Sequence, residues 1–125
     1  MTSYKPDSYQ AVSPYLIVDD AKRTIDFLIE TFDAVELRRI TGEVEDVIHA
    51  EVRVDDSVIM LSDGKPQWPA VAAHVHVYVA DPHDVYRRAL AAGAQSVQEP
   101  KPDQENRSGV RDPGGTTWWM AAHEG

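Results

Sequence analysis

Two copies of one short pattern, a strand followed by an aspartate and then a helix, constrain the fold more than any other feature of this chain. The second copy runs from Ala73 to Ala94 and opens with histidine alternating with valine, which predicts a strand with one apolar face. Asp81 then offers an N-cap oxygen, and Pro82 suits the first helical position because no amide donor is needed there. The same order occurs earlier, over Ser13–Asp33. Aligning the copies pairs Ser13 with His74, Tyr15 with His76, and Asp20 with Asp81. Two such halves predict a duplicated fold.

Three further strands are predicted after each helix. The helices are predicted over Ala21–Phe32 and Pro82–Ala92. The predicted strands are Ser13–Val18, Ala34–Ile40, Asp46–Val54 and Ser57–Ser62 in the first half, and His74–Val79, Gln95–Glu99, Ser108–Arg111 and Thr116–Ala122 in the second. Pro100–Asn106 is predicted to be a loop, and Asp112-Pro113-Gly114-Gly115 a turn with its positive φ at Gly114. Runs of strands after each helix favour antiparallel pairing, and hence an α+β fold with both helices on one face.

Length and charge limit the class of protein. We expect one domain over the 125 residues, with module one at about 11–63, a linker at 64–72 and module two at about 73–123. The absence of cysteine excludes disulfides, thiolate zinc sites and cysteine nucleophiles, and it fits a cytoplasmic location. A formal charge of -9 repels phosphate backbones, so no nucleic-acid partner is expected. No segment is apolar enough to predict a membrane span, and Met1–Gln10 does not predict a signal peptide. Met1–Val12 is predicted to be a mobile arm or a short edge segment.

Several short segments carry a family resemblance. They are the aspartate that ends the first strand of each module, Ala91-Ala92-Gly93-Ala94, the turn at 112–115, Ser13–Leu16, His49–Glu51, Val58–Asp63, and Asp103-Gln104 followed by Arg107–Gly109. In this order they resemble the vicinal-oxygen-chelate superfamily, the glyoxalase, bleomycin-resistance and extradiol-dioxygenase group, and within it the PhnB-like branch. Glu105-Asn106 departs from that branch, which has an aromatic-glycine segment there. The resemblance covers about residues 11–123. It implies two βαβββ modules whose mixed, mainly antiparallel strands curl into half-barrels around a cup, with the helices outside.

The resemblance also implies where a metal would be held. In the metal-dependent members, four ligands point into the cup from the first and fourth strands of each module. The matching positions here are Ser13, Met60, His74 and Trp119. Only His74 is a suitable ligand, because a thioether prefers soft metals and an indole does not ligate. We therefore expect neither the usual metal site nor a cofactor. The alternative left open is a divalent metal at a non-standard set, namely His74, His76, His49 and Glu51.

Side chains that face the cup are the candidate ligand-binding residues, namely Ser13, Tyr15, Met60, His74, His76 and Trp119. With Tyr78, the aromatic residues and Met60 would form a wall for a flat or cationic ligand, or else belong to the core. Of the neighbouring tryptophans, Trp118 is expected in the core and Trp119 in the cup. Arg107, Ser108 and Arg111 would close the pocket mouth, bind an anion, or form a solvated loop.

The candidate catalytic residues lie on the third strand. Alternation divides this strand into two faces, His49, Glu51 and Arg53 on one side and Ile48, Ala50, Val52 and Val54 on the other. His49 or Glu51 could supply a general base. The alternatives are a solvated polar face, or Glu51 paired with Arg53.

Two functions stay open at this point. The leading prediction is a homodimer that binds a small molecule in cups between paired modules, without the usual metal. The alternative is an enzyme, a divalent-metal-assisted lyase, isomerase or dioxygenase that acts on a small oxygenated substrate.

Overall fold

The computed structural model describes residues 3–125, in which eight strands and two α-helices follow the predicted order. The elements of the first half are β1 (Tyr15–Val18), α1 (Ala21–Phe32), β2 (Val35–Thr41), β3 (Val47–Val54) and β4 (Ser57–Asp63). Those of the second half are β5 (His74–Tyr78), α2 (Pro82–Ala91), β6 (Gln95–Lys101), β7 (Arg107–Arg111) and β8 (Thr117–Ala121). The predicted duplication and the α+β class are therefore confirmed.

Each half forms its own mixed sheet of four strands. The strand orders are β1-β4-β3-β2 and β5-β8-β7-β6, with the first strand parallel to the last and all other pairs antiparallel. The registers repeat as well, because Tyr15 lies opposite Met60 in one sheet and His76 lies opposite Trp119 in the other. The helices pack on one face of each sheet, and we call the opposite face the open face.

Both helices begin at the predicted aspartates. The Asp20 carboxylate accepts a hydrogen bond from the Arg23 amide at 3.2 Å, and the Asp81 carboxylate accepts one from the Asp84 amide at 3.1 Å. An N-cap of this kind stabilises a helix by about 1 kcal/mol. No helix within residues 3–125 is long and apolar enough to cross a membrane.

One apolar cluster contains residues of both halves. Trp118 of β8 is fully buried against α1, with its ring centroid 6.4 Å from that of Phe27 and 5.8 Å from that of Phe32. Trp118 Nε1 also donates a hydrogen bond to Asp112 Oδ2 at 2.7 Å. Burial raises the pKa of Asp112, although the hydrogen bonds from Trp118 and from the amides of the turn act in the opposite direction.

A bulge at the start of β3 changes which side chains face the core. The register between β2 and β3 shifts at Ile40 and Thr41. Val47 is consequently buried, whereas Ile48 is 39% exposed. The prediction that Ile48 shares the apolar face of the strand is therefore wrong, because a bulge interrupts the alternation of side chains.

The second half departs from the prediction at its loop and its turn. β6 extends to Lys101, so the predicted loop is reduced to a 3-10 turn at Pro102–Gln104 and a short connection. In the turn at 112–115 the positive φ of 99° belongs to Gly115, not to Gly114. Gly114 is required for a different reason, since a Cβ there would collide with Thr24 Oγ1 of α1.

The segment before β1 forms no strand but is anchored to the first sheet. Gln10 Oε1 accepts a hydrogen bond from the Val58 amide at 3.1 Å, and Gln10 Nε2 donates one to the Val58 carbonyl at 2.6 Å. Arg53 donates to the Ser8 carbonyl at 3.0 Å. Ser8 and Gln10 therefore hold this part of the predicted arm against the first sheet, as a segment outside the strands. Met1 and Thr2 lie outside the described residues.

Candidate functional site

Four side chains on the open face of the first sheet are joined by three hydrogen bonds. Tyr9 Oη donates to Glu51 Oε1 at 2.6 Å. Glu51 Oε2 lies 2.7 Å from His49 Nε2, and His49 Nδ1 lies 3.0 Å from Tyr15 Oη. Glu51 is 8% exposed and Tyr15 is 48% exposed, so this chain of contacts runs from beneath the N-terminal arm to solvent.

The surroundings of Glu51 favour its ionised form. The hydrogen bond from Tyr9, followed by the one from His49, lowers the pKa of Glu51 despite its burial, and the charge of Arg38 acts in the same direction. The same contact with Glu51 raises the pKa of Tyr9. Arg53 lies over the Tyr9 ring, 5.9 Å from its centroid, so the alternative in which Arg53 pairs with Glu51 is wrong.

Met60 of β4 lies between Tyr15 of β1 and Glu51 of β3. In register it is opposite both Tyr15 and Glu51, and it is partly exposed. Ser13 instead precedes β1, and its Oγ accepts a hydrogen bond from Gln10 Nε2 at 3.1 Å. We use the name half-cup one for the set Tyr15, His49, Glu51 and Met60.

The second sheet presents a corresponding set, His74, His76, Tyr78 and Trp119, which we call half-cup two. Trp119 Nε1 donates to His74 Nδ1 at 3.0 Å, and the two rings are stacked with centroids 6.1 Å apart and planes inclined by 14°. Because Nδ1 accepts this bond, a neutral His74 carries its proton on Nε2, where it can donate to a ligand.

The surroundings of His76 favour its neutral form. Arg107 Nε donates to His76 Nε2 at 3.4 Å, and the Tyr78 ring meets the imidazole edge-on at 4.8 Å. Burial, followed by the charge of Arg107, lowers the pKa of His76, while Glu105 acts in the opposite direction. Arg107 thus belongs to the site. Ser108 is fully buried in β7, so neither alternative for it, a pocket mouth or a solvated loop, is correct.

Gly109 determines how Trp119 lies on the sheet. The two residues are opposite each other on β7 and β8, and a Cβ on Gly109 would lie 2.6 Å from the Trp119 ring. Only a residue without a side chain leaves the ring room to lie flat across the strand. The buried Trp118 and the partly exposed Trp119 face opposite sides, as strand alternation predicts.

The residues at the superfamily's ligand positions do not fit a metal ion. The Ser13 hydroxyl and His74 Nδ1 are already engaged as acceptors, and Met60 and Trp119 offer no hard donor. Within residues 3–125, no three His, Asp or Glu side chains are grouped as a metal site would require. The non-standard set is divided, because Glu51 contacts His49 on one sheet while His74 and His76 lie on the other.

The two half-cups of one chain lie on different sheets. In the part of the chain that the structure describes, no hydrogen bond or ring contact connects half-cup one with half-cup two. A cleft of about 410 Å³ lies beside β5, between His76 and Tyr78 on one side and Gln10, Pro14 and Ile59 on the other.

Sequence reasoning missed two residues of the site. Tyr9 and Gln10 lie in a polar segment with no periodicity, and their partners Glu51 and Val58 are more than forty positions away. The only local signal for these two residues was a tyrosine followed directly by a glutamine in the polar segment that precedes β1.

Comparison with known proteins identifies the family. Residues 9–120 match the model of the Glyoxalase/Bleomycin resistance protein/Dioxygenase superfamily. The chain belongs to this superfamily. It is 39% identical over 98 residues to an uncharacterized protein of Mycobacterium bovis, and that match covers 70% of the chain but only 64% of the relative's length.

Several proteins with solved structures share this fold. TnmS3, an antibiotic binding protein from Streptomyces sp. CB03234, matches 93% of the chain and 100% of its own length with a TM-score of 0.70 and 19% identity. FosX of Listeria monocytogenes, a fosfomycin resistance protein solved with Mn(II), matches 92% of the chain and 93% of its own with a TM-score of 0.73 and 17% identity. A PhnB protein from Bacillus cereus matches 91% of the chain and 100% of its own with a TM-score of 0.68 and 16% identity. At these identities the likeness establishes the fold alone.

Proposed function

We propose that this protein binds a small, flat organic molecule in a cup formed by half-cup one of one chain and half-cup two of a second, without the superfamily's usual metal. The observation that carries the proposal is the wall formed by Trp119, which lies over Gly109 and is stacked on His74. Such a wall contributes about 1 kcal/mol of stacking for each ring beyond the apolar area that it buries. The antibiotic binding protein TnmS3 has the same fold, which supports a binding role.

The charges of the site favour a cationic ligand. Glu51 is held ionised, whereas the charge of Arg107 is countered by Glu105 at 3.4 Å. The formal charge of the chain, -9, acts in the same direction at longer range. The same charge argues against nucleic acid and anionic membranes as partners. The location that we propose is the cytoplasm.

The second copy of the chain is proposed because both half-cups are open. Tyr15 and Tyr78 are 48% and 58% exposed, and every residue of the edge strand β2 is exposed, including Val35 at 56%. Bare edges and apolar side chains of this kind are commonly covered by another subunit. Sedimentation equilibrium should give about twice the chain mass of 13.9 kDa, and a mass equal to that of one chain would contradict the dimer.

A metal-assisted enzyme is the second candidate. It is favoured by the contact between His49 and Glu51 and by the similar fold of FosX, which was solved with Mn(II). It would need His74 or His76 of another chain to reach the same ion. Stoichiometric metal that is lost in His74→Ala would establish this reading in place of the first.

The binding proposal is tested with berberine, a flat aromatic cation whose fluorescence rises in apolar surroundings. We expect saturable binding in the presence of a chelator, and at least a tenfold loss of affinity in Trp119→Ala. Trp68→Ala is the matched control, because Trp68 is 52% exposed and lies in the connection between the modules. Equal affinities in the two variants, or no saturable binding by the wild type, would contradict the proposal.

A further inference from the structure

The hydrogen bonds of half-cup one run in one direction when the His49 imidazole is neutral. An ionised carboxylate only accepts hydrogen bonds, so His49 must carry a proton on Nε2 to meet Glu51. In a neutral imidazole Nδ1 is then the acceptor, and Tyr15 donates its phenolic proton to it. The result is a series in which Glu51 orients His49 and His49 polarises the hydroxyl of Tyr15.

Anchoring of the N-terminal arm does not explain this series. The contact between Tyr9 and Glu51 and the two bonds between Gln10 and Val58 would hold the arm by themselves. The alignment of His49 with Tyr15 contributes nothing to that anchoring, and it ends at a hydroxyl on the open face. Arg38 and Arg53 are the charged groups near the series, and Arg53 is occupied by the arm.

We propose that Tyr15, His49 and Glu51 form a proton relay that removes a proton from a carbon acid bound in the cup, a small molecule with a C–H group next to an electron-withdrawing group. Tyr15 is the catalytic residue, since it is the exposed end of the series on the open face, and His49 and Glu51 act through it. This inference rests on the proposed binding function, because the cup must hold the carbon acid.

The step balances without any further reactant. The C–H bond breaks, its electron pair stays on the ligand, and the proton moves to Tyr15 Oη. The phenolic proton of Tyr15 moves at the same time to His49 Nδ1, which becomes an imidazolium whose Nε2–H still donates to Glu51. The ligand gains one negative charge. The net charge of His49 and Glu51 together rises by one, from a single negative charge to zero.

The test uses 5-nitrobenzisoxazole, a flat carbon acid. When a base removes its C–H proton, the N–O bond breaks and the electron pair leaves on oxygen as a coloured cyanophenolate. In the presence of a chelator we expect wild-type kcat/KM to exceed that of His49→Asn, Glu51→Gln and Tyr15→Phe by about a hundredfold, since a positioned general base contributes 10²–10⁴. His83→Asn is the control, an exposed histidine on α2 that should keep the wild-type rate.

Each outcome decides the proposal. Equal rates for the wild type and His49→Asn would overturn it, and so would a loss in His49→Asn with full activity in Tyr15→Phe, because the base would then not act through Tyr15. Nitrogen NMR supplies a readout that does not depend on turnover. It should show neutral His49 protonated on Nε2, with an Nδ1 shift that changes in Tyr15→Phe, and protonation on Nδ1 would overturn the relay. Berberine binding that persists when the relay fails would leave the proposed function standing.

Discussion

Replacement of each of the two neighbouring tryptophans by phenylalanine should separate the core from the site. Trp118 is fully buried and donates to the buried carboxylate of Asp112, whereas Trp119 is partly exposed and donates to the imidazole of His74. We therefore predict that Trp118→Phe mainly lowers the free energy of unfolding, while Trp119→Phe mainly lowers the affinity for berberine.

The magnitude follows from what each indole contacts. A hydrogen bond to a charged group contributes about 1.5–3 kcal/mol, and its loss leaves the buried carboxylate of Asp112 with one donor fewer. The smaller ring also leaves a gap where Trp118 packs against Phe27 and Phe32, so Trp118→Phe should cost about 3 kcal/mol in total. A loss of that size lowers the Tm of a domain of this length by about 10 °C. The solvent-exposed hydrogen bond from Trp119 to His74 contributes only about 1 kcal/mol to stability.

Thermal unfolding followed by far-ultraviolet circular dichroism measures both variants under the same conditions. The berberine titration of the same samples supplies the second half of the comparison. If Trp118→Phe were as stable as Trp119→Phe, the buried bond to Asp112 would not stabilise the fold, and the division of the two side chains between core and site would be refuted.

Three further predictions follow from the same contacts. Gly109→Ala should push the Trp119 ring off the sheet, seen as a red-shifted tryptophan emission and weaker berberine binding with little change in Tm; an unchanged spectrum would contradict the close packing. The protein should purify without stoichiometric zinc, nickel, iron or manganese, and a chelator should leave its Tm unchanged; a fall in Tm on chelation would reveal a bound ion. Because the folded-state pKa of Glu51 lies below its usual 4.5, the stabilisation it provides is present above that pH and is lost as the pH falls through the folded value. Glu51→Gln should therefore have a shallower decline of Tm below about pH 4.5 than the wild type, and identical acid profiles would contradict this assignment.

The regular elements could be predicted because their signals are local. Asp20 and Asp81 cap the helices where the sequence places them, and alternation separates Trp118 from Trp119 correctly. Alternation fails at Ile48, because a bulge inserts an extra residue without any mark in the sequence of the strand itself.

The site was predicted less completely than the fold because its contacts are long-range. Tyr9 contacts Glu51 across 42 positions of sequence, and no periodicity connects the arm with β3. The role of Gly109 is equally invisible in the sequence, since it depends on which residue of β8 lies opposite.

Complementation between two variants that are each impaired in berberine binding tests the shared cup most directly. Tyr15→Ala removes an aromatic side chain from half-cup one, and Trp119→Ala removes one from half-cup two. If each cup combines the halves of two chains, a mixed dimer contains one cup with both defects and one cup with none. After exchange of subunits between equal amounts of the two variants, half of the dimers are mixed. Berberine titration should then show sites of wild-type affinity at about a quarter of their number in the wild-type protein. Recovery of no tight sites, in a mixture shown to contain mixed dimers, would contradict the account.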